Sequence, residues 1–212
     1  MIIAIDGPAG SGKTTVAKLL AKRLGIFYLD TGSTYRALTY LALENNLDLS
    51  SAESLGKLAS NLNLKLQEGK VYLDNKDISL AIREPRIDKN ISLVVVHPQV
   101  RKTMIKLQRN LAQRGDFVVE GRDITTVVFP EAEHKFYLDA DAKVRSRRRF
   151  TELKDKGLKL KLQEVEKDLS QRDHADKNRK VGPLKISDEA RVIDTTGLTI
   201  EGTAREILKY LK

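Results

Sequence analysis

Gly7, Gly12, Lys13 and Thr14 stand in the spacing G-x-x-x-x-G-K-[ST], within the run IDGPAGSGKTT. Each residue type at its place serves phosphate chemistry. Glycines let the backbone curl so that successive N–H groups face phosphate oxygens, and a helix opening at the end of the loop adds its dipole. A lysine there reaches β- and γ-phosphates, and the hydroxyl beside it can ligate Mg2+. The apolar run Ile2–Ile5 precedes the loop and a helical pattern follows it, so the segment reads as strand, loop, helix. The chemistry expected is the handling of ATP or GTP.

Two more stretches carry acid, hydroxyl and guanidinium groups together, DTGSTYR from Asp30 and EGRD from Glu120. Each follows a short β-rich run. In a parallel sheet both fall at the C-terminal ends of strands, the side on which open α/β sheets bind ligands. Arg36 and Arg122 have the planar fork that matches phosphate geometry. Asp30 or Glu120 could hold Mg2+ through water or position an acceptor. A GTPase needs an N-K-x-D stretch for guanine, and the nearest candidate, NKDI at Asn75–Ile78, has its aspartate one place early. Helicase or AAA-type elements are not found, and the 5% of aromatic residues show no interleaving with basic ones for base stacking. These readings favour a small-molecule kinase, with an RNA-stimulated ATPase as the distant alternative.

Such groups need a sheet to place them. Short β-rich runs at Ile2–Ile5, Phe27–Leu29, Phe117–Val119, Lys135–Leu138 and Val192–Ile193 alternate with helical patterns at Thr14–Leu24, Thr34–Asn45, Val144–Lys156 and Ile200–Leu211. That alternation predicts an α/β protein, a five-stranded parallel sheet flanked by helices. From Asn46 to Asn90 the rhythm breaks. A short helix at Ser51–Ala59, opened by Ser50 or Ser51, leads into alternating Leu62, Leu64 and Leu66. Turns at Glu68–Gly69 and Asp74–Asn75 separate Val71–Leu73 and Ile78–Leu80, the pattern of an inserted antiparallel meander. Val100–Gln113 reads as a basic amphipathic helix returning to the core.

With 212 residues, 41% hydrophobic and 32% charged, the chain suits one globular core carrying a small inserted lobe. No run approaches the ~18–20 apolar residues of a membrane span, and the N-terminal MIIAIDG shows no basic leader, so neither membrane nor signal peptide is expected. The absence of cysteine excludes disulfides and thiolate metal sites and fits a cytoplasmic protein. His97, His134 and His174 have no ligand spacing. The net charge of +9 calls for an anionic partner. Between Lys143 and Lys161 nine Lys and Arg stand against Glu152 and Asp155, a surplus of +7, so that segment is expected to meet the anion.

LDTGSTYR, EGRDITTVVFP, RDHADKNR and VGPLK, taken with IDGPAGSGKTT and the meander, resemble the bacterial cytidylate kinases from Ile3 to about Leu208. The resemblance implies the P-loop kinase fold, with a core at 1–35, 101–142 and 183–212, a monophosphate-binding lobe at 36–100 holding the meander (about 60–80), and a helical lid at 143–182. It implies phosphoryl transfer from ATP to CMP or dCMP with Mg2+, in pyrimidine metabolism, by a monomer that needs no nucleic acid. ATP would lie on Gly7, Pro8, Ala9, Gly10, Ser11, Gly12, Lys13, Thr14 and Thr15, with Arg148 and Arg149 from the lid. Thr14 would ligate Mg2+ directly and Asp30 through water. Thr31, Arg36, Ser92, Arg101, Arg122, Asp123, Arg172, Asp176 and Arg179 would bind CMP, with Arg36 and Arg122 on its phosphate. Lys13, Arg122, Arg148, Arg172 and Arg179 would be catalytic, and Gly157 and Gly182 are candidate hinges. Four features depart from the family: Thr125 where glycine is usual, Ser33-Thr34 instead of a small residue and methionine, Lys177 where serine or a small residue is usual, and Gly182 instead of alanine. The alternative is a P-loop kinase for another nucleoside monophosphate or for a small metabolite.

Overall fold

The computed structural model describes every residue except Glu68, Arg114, Lys156 and Lys212. Glu68 of the first expected turn and Lys156 at the end of an expected helix therefore lie outside the described residues. The chain forms β1 (Ile2–Asp6), α1 (Lys13–Leu24), β2 (Phe27–Asp30), α2 (Thr31–Glu44), α3 (Ala52–Ser60), β3 (Leu64–Gln67), β4 (Lys70–Leu73) and β5 (Lys76–Asp77). After a 3-10 turn at Ala81–Arg83 come α4 (Pro85–Val95), α5 (Pro98–Leu111) and β6 (Phe117–Gly121). A π-helical turn at Ile124–Val128 leads to β7 (His134–Asp139), α6 (Ala142–Asp155), α7 (Leu162–Asn178), β8 (Arg191–Asp194) and α8 (Ile200–Leu208). The larger sheet has five strands, as the sequence predicts, and their order is β2-β6-β1-β7-β8.

Two compact units divide the chain, Met1–Phe27 with Phe117–Lys212, and Tyr28–Asp116. In the first, β1 pairs in parallel with β6 on one side and β7 on the other, and β7 with β8. Ile3, Ala4 and Ile5 are fully buried, as are Val118, Val119 and Leu138. Strands covered on both faces are apolar without alternation, which is why these runs read as strands at all. The register sets Asp6 opposite Gly121 on β6 and Tyr137 on β7, so the C-terminal ends of three strands lie together. Gly7 follows immediately with φ +148, and a Cβ there would lie 2.1 Å from the Leu138 carbonyl oxygen. Gly7→Ala is therefore expected to cost at least about 3 kcal/mol of stability, because only backbone movement relieves the clash. A urea melt measures it, and a midpoint equal to wild type would contradict so close an approach.

The second unit packs α2 to α5 with the three-stranded antiparallel sheet β3-β4-β5. Its core includes Leu38, Leu55, Ile82, Ile87, Val94, Val100 and Met104. Asp30 caps α2 by accepting from the Ser33 amide, and Ser51 caps α3 by accepting from Ser54, the second of the two predicted caps. The meander is present, but its last strand is Lys76–Asp77 and not Ile78–Leu80. Asp74 and Asn75 both have positive φ, at 48° and 67°, so the two-residue turn returns the chain at Lys76 opposite Leu73. Ile78 then drops into the core at 2% exposure, and the Ser79 hydroxyl accepts from the Val71 amide.

The sequence pattern does not predict helix α4. Pro85 opens it, and Ile87, Ile91 and Val94 bury one face at helical spacing. In the first unit the π-helical turn is likewise new, and α8 stops at Leu208. Helix α7 ends at Asn178, and Arg179 leaves it in extended conformation (φ −65°, ψ 141°). Arg172 and Asp176, four residues apart on α7, thus share a helix face, while Arg179 arrives from the chain beyond.

Candidate active site

The segment Gly7–Gly12 forms a loop between β1 and α1, with Lys13, Thr14 and Thr15 opening the helix. A Cβ on Gly10 (φ +77) would lie 2.9 Å from the Arg145 carbonyl oxygen, so the loop presses against α6 on one side. Lys13 is 5% exposed, and its Nζ donates to the Pro8 carbonyl at 2.7 Å and the Ser11 hydroxyl at 3.4 Å. Burial, joined by repulsion from Arg122, lowers its pKa to about 7 against the pull of Glu120 and Asp6. Lys13 is a cation held among few counter-charges, which is what a phosphate would relieve.

Beside it the Thr14 hydroxyl donates to Glu120 Oε2 at 3.0 Å. These are hard oxygen donors side by side at the loop, the set that Mg2+ prefers. Among the described residues no group of three or more His, Cys, Asp or Glu gathers to hold a metal. A cation bound largely through phosphate oxygens and water fits such a sparse set.

Arginine and carboxylate alternate on the far side of Lys13. Arg122 Nε donates to Asp176 Oδ2 at 2.8 Å. Asp176 Oδ1 lies 3.7 Å from Arg179 Nη1, and Arg179 Nη2 donates to Asp123 Oδ1 at 3.1 Å. Arg179 Nε also donates to the Gly182 carbonyl, and the Leu184 amide donates to the Asp176 carbonyl at 2.8 Å, which folds the GPL turn back on α7. Burial works against the Asp176 carboxylate, but Arg122, Arg172 and Arg179 together hold its pKa below the usual range. Arg172 is half-buried and acts on both Lys13 and Asp176. Five of the expected residues, Arg122, Asp123, Arg172, Asp176 and Arg179, thus form one cluster beside Lys13.

The arginines of α6 divide into separate tasks. Arg148 donates to the Thr195 hydroxyl at 3.0 Å and the Thr195 carbonyl at 2.6 Å. Arg149 pairs with Glu152 on its own helix at 2.8 Å. Arg145, no more than part of a basic run in the sequence, is 9% exposed and donates to Ala140 and Ala9 carbonyls and to Asp173. It joins the phosphate loop to α7.

In the second unit, Thr31 is buried at the start of α2 and its carbonyl accepts from the Thr34 hydroxyl at 2.7 Å. Asp30 is occupied as the helix cap. Arg36 Nε lies 3.4 Å from Asp88 Oδ1. Arg101 is 1% exposed, with its guanidinium 5.7 Å from the centre of the Tyr35 ring. Ser92 is exposed on α4. Gln108 donates to the Thr34 hydroxyl at 2.8 Å, so the threonine that departs from the family pattern meets a buried amide.

Sequence reading missed Asp6, Asp88, Gln108 and Thr195. Asp6 alone carried a signal, a charged residue closing an apolar strand. It is fully buried and accepts from the Ile124 amide at 2.8 Å and from the Thr125 amide and hydroxyl at 2.7 Å each. Burial raises its pKa, against the lowering effect of those bonds. Thr195 is 2% exposed, and its hydroxyl lies 3.1 Å from the Ser11 carbonyl oxygen.

Among the described residues no helix is long and apolar enough to cross a membrane. The family model described as Cytidylate kinase matches residues 3–212. A protein named Cytidylate kinase from Fusobacterium nucleatum is 45% identical over 212 residues, covering 100% of this chain and 97% of the relative. One of the same name from Clostridium botulinum (strain Loch Maree / Type A3) is 43% identical over 210 residues, covering 99% and 97%. Among solved structures, a shikimate kinase from Acinetobacter baumannii in complex with shikimate aligns with a TM-score of 0.46 at 18% identity, covering 99% of this chain and 92% of its own.

Proposed function

The chain belongs to the cytidylate kinase family, and from that premise we propose that it transfers the γ-phosphoryl group of ATP to CMP or dCMP, giving ADP and CDP or dCDP. The observation that carries the reading is the cluster beside Lys13. Arg122 is bonded to Asp176 and Asp176 neighbours Arg179, three charged groups of the kind that recognise a nucleoside monophosphate. Such transfer asks little covalent chemistry of the protein; positioning and neutralisation of charge do most of the work.

In this reading Gly7 to Thr15 cradle the phosphates of ATP and Lys13 holds the β- and γ-phosphates. Arg148 and Arg149 serve the ATP side. Thr14 would hold Mg2+ directly, with Glu120 beside it, and Asp30, whose Oδ1 caps α2, would act only through water; the ion when bound would neutralise phosphate charge. Arg36 and Arg122 grip the phosphate of the acceptor, and Thr31, Ser92, Arg101 and Asp123 line its site. Arg172, Asp176 and Arg179 close over ribose and phosphates, and Arg172 and Arg179 neutralise charge as the phosphoryl group moves. Residues 36–100 act as the monophosphate lobe and 143–182 as a lid that excludes water from the γ-phosphate. The proposal includes a monomer working in the cytoplasm on free nucleotides.

A coupled assay of ADP formation across CMP, dCMP, UMP, AMP and GMP tests it. Turnover should follow CMP or dCMP. Preference for AMP or GMP, or stimulation by RNA in place of any monophosphate, would overturn the reading. Arg179→Ala should raise the KM for CMP about 10–100-fold, because a pre-placed charged donor is lost. An unchanged KM would remove Arg179 from the acceptor site.

A further inference from the structure

We propose that Asp6 is a positioning residue for phosphoryl transfer, acting through Thr125 and Ile124 to hold Arg122 and Asp123 in register with the phosphate loop. Asp6 is the last residue of β1, directly before Gly7, and is 0% exposed. Both of its oxygens are used. Oδ1 accepts from the Ile124 amide at 2.8 Å, and Oδ2 accepts from the Thr125 amide and from the Thr125 hydroxyl, both at 2.7 Å. Strand pairing ends at Asp6 opposite Gly121, so the next four residues leave the sheet without a ladder to fix them. They include Arg122 and Asp123. The carboxylate closes that gap, reaching past the two functional side chains and taking hold of the chain just after them.

The π-helical turn that follows depends on the same grip. The Val127 and Val128 amides both donate to the Asp123 carbonyl, at 2.9 and 3.0 Å, and the turn starts at Ile124. A carboxylate receiving two amides at the head of this turn sets where it begins, and so sets the direction in which Arg122 and Asp123 point. Such turns occur often at functional sites. Thr125, a departure from the family pattern, supplies the third donor, so in this chain the clamp includes a side chain that can be altered without touching the backbone.

The inference rests on the kinase reading, and its test separates the two. Asp6→Asn keeps size and shape but offers an amide nitrogen where one set of donors now points. In enzyme shown to be folded, kcat/KM for CMP should fall about 10²-fold, as expected for a misplaced reactive group, while the KM for ATP stays within about twofold. Should Asp6→Asn not fold, Thr125→Ala and Thr125→Ser carry the test. Removing the hydroxyl should lower kcat/KM for CMP about five- to tenfold, and serine should restore it. Hydrogen exchange at the Ile124 and Thr125 amides, slow in wild type and faster in Asp6→Asn, reads the clamp without any substrate. Equal losses on the ATP and CMP sides, identical kinetics for wild type, Thr125→Ser and Thr125→Ala, or unchanged amide exchange would each overturn the proposal. Wild-type enzyme that ignores CMP would instead defeat the kinase reading, and the exchange measurement would still decide the clamp.

Discussion

Lys13→Met is expected to lower turnover by about 10³-fold, the scale for removing a preorganised charge from a developing anion, without lowering the melting temperature of nucleotide-free, metal-free protein. Function and stability oppose each other at this position. The ammonium is buried, and burial and Arg122 both act against its charge, bringing its pKa from 10.5 to about 7. For a base with a depressed folded-state pKa the sign is fixed: the unfolded chain binds the proton more readily, so the charge weakens the fold most at low pH. That penalty is full below about pH 7 and fades as pH rises towards 10.5. Methionine fills similar space and carries no charge. The variant should therefore gain on wild type in thermal unfolding as pH falls from 10 towards 6, by calorimetry in matched buffers. Near-normal turnover would refute the phosphate role of Lys13. A stability difference that shrinks as pH falls would refute the account of its burial.

What the sequence disclosed and what it hid follow from where the relevant partners sit along the chain. The phosphate loop is local: Gly7 to Thr14 carry its chemistry in one short stretch, with a strand before and a helix after. The inner strands β1 and β6 of the larger sheet were equally plain, because burial on both faces leaves uninterrupted apolar runs. Asp6 was hidden for the opposite reason. Its partners lie 118 and 119 positions away, and no periodicity connects them. Helix α4 was obscured by ISLVVV, a run in which four of six residues are β-branched and have little helical preference; packing of Ile87, Ile91 and Val94 into the second unit's core holds the helix. In the basic run of α6 the side chains are alike in type, so sequence could not separate them. Burial and partners do so: Arg145 goes to the phosphate loop, Arg148 to Thr195 and Arg149 to Glu152. Arg179 shows a third limit. Its spacing from Asp176 suits a helix, but the chain turns out of α7 before reaching it, and it meets Asp123 and Asp176 by a different route.

Arg122 supports the other large prediction. Its guanidinium bonds to the Asp176 carboxylate and repels the Lys13 ammonium, so one neighbour favours its charge and another opposes it. A purely structural arginine would be served well by Asp176 alone. This one is favoured by Asp176, Glu120 and Asp173, which together raise its pKa against burial, yet it also repels a lysine whose charge burial already disfavours, a local surplus that a bound anion would relieve. Arg122→Ala is expected to reduce kcat/KM for CMP by about 10³–10⁵-fold, the range for an arginine neutralising a transferring phosphoryl group. Arg122→Lys keeps the charge and loses the fork, and should recover only part of that loss. Arg122→Ala leaves Asp176 Oδ2 without its donor at 2.8 Å, so the melting temperature should fall, but by less than the activity loss implies, because Arg172 and Arg179 remain as counter-charges. The contrast is measured by steady-state kinetics with CMP varied at saturating ATP, beside thermal unfolding of the same preparations. If Arg122→Lys matched wild type, geometry at this position would be irrelevant and charge sufficient. If Arg122→Ala lost stability in proportion to activity, Arg122 would be a strut for Asp176 and the acceptor phosphate would have to be held elsewhere.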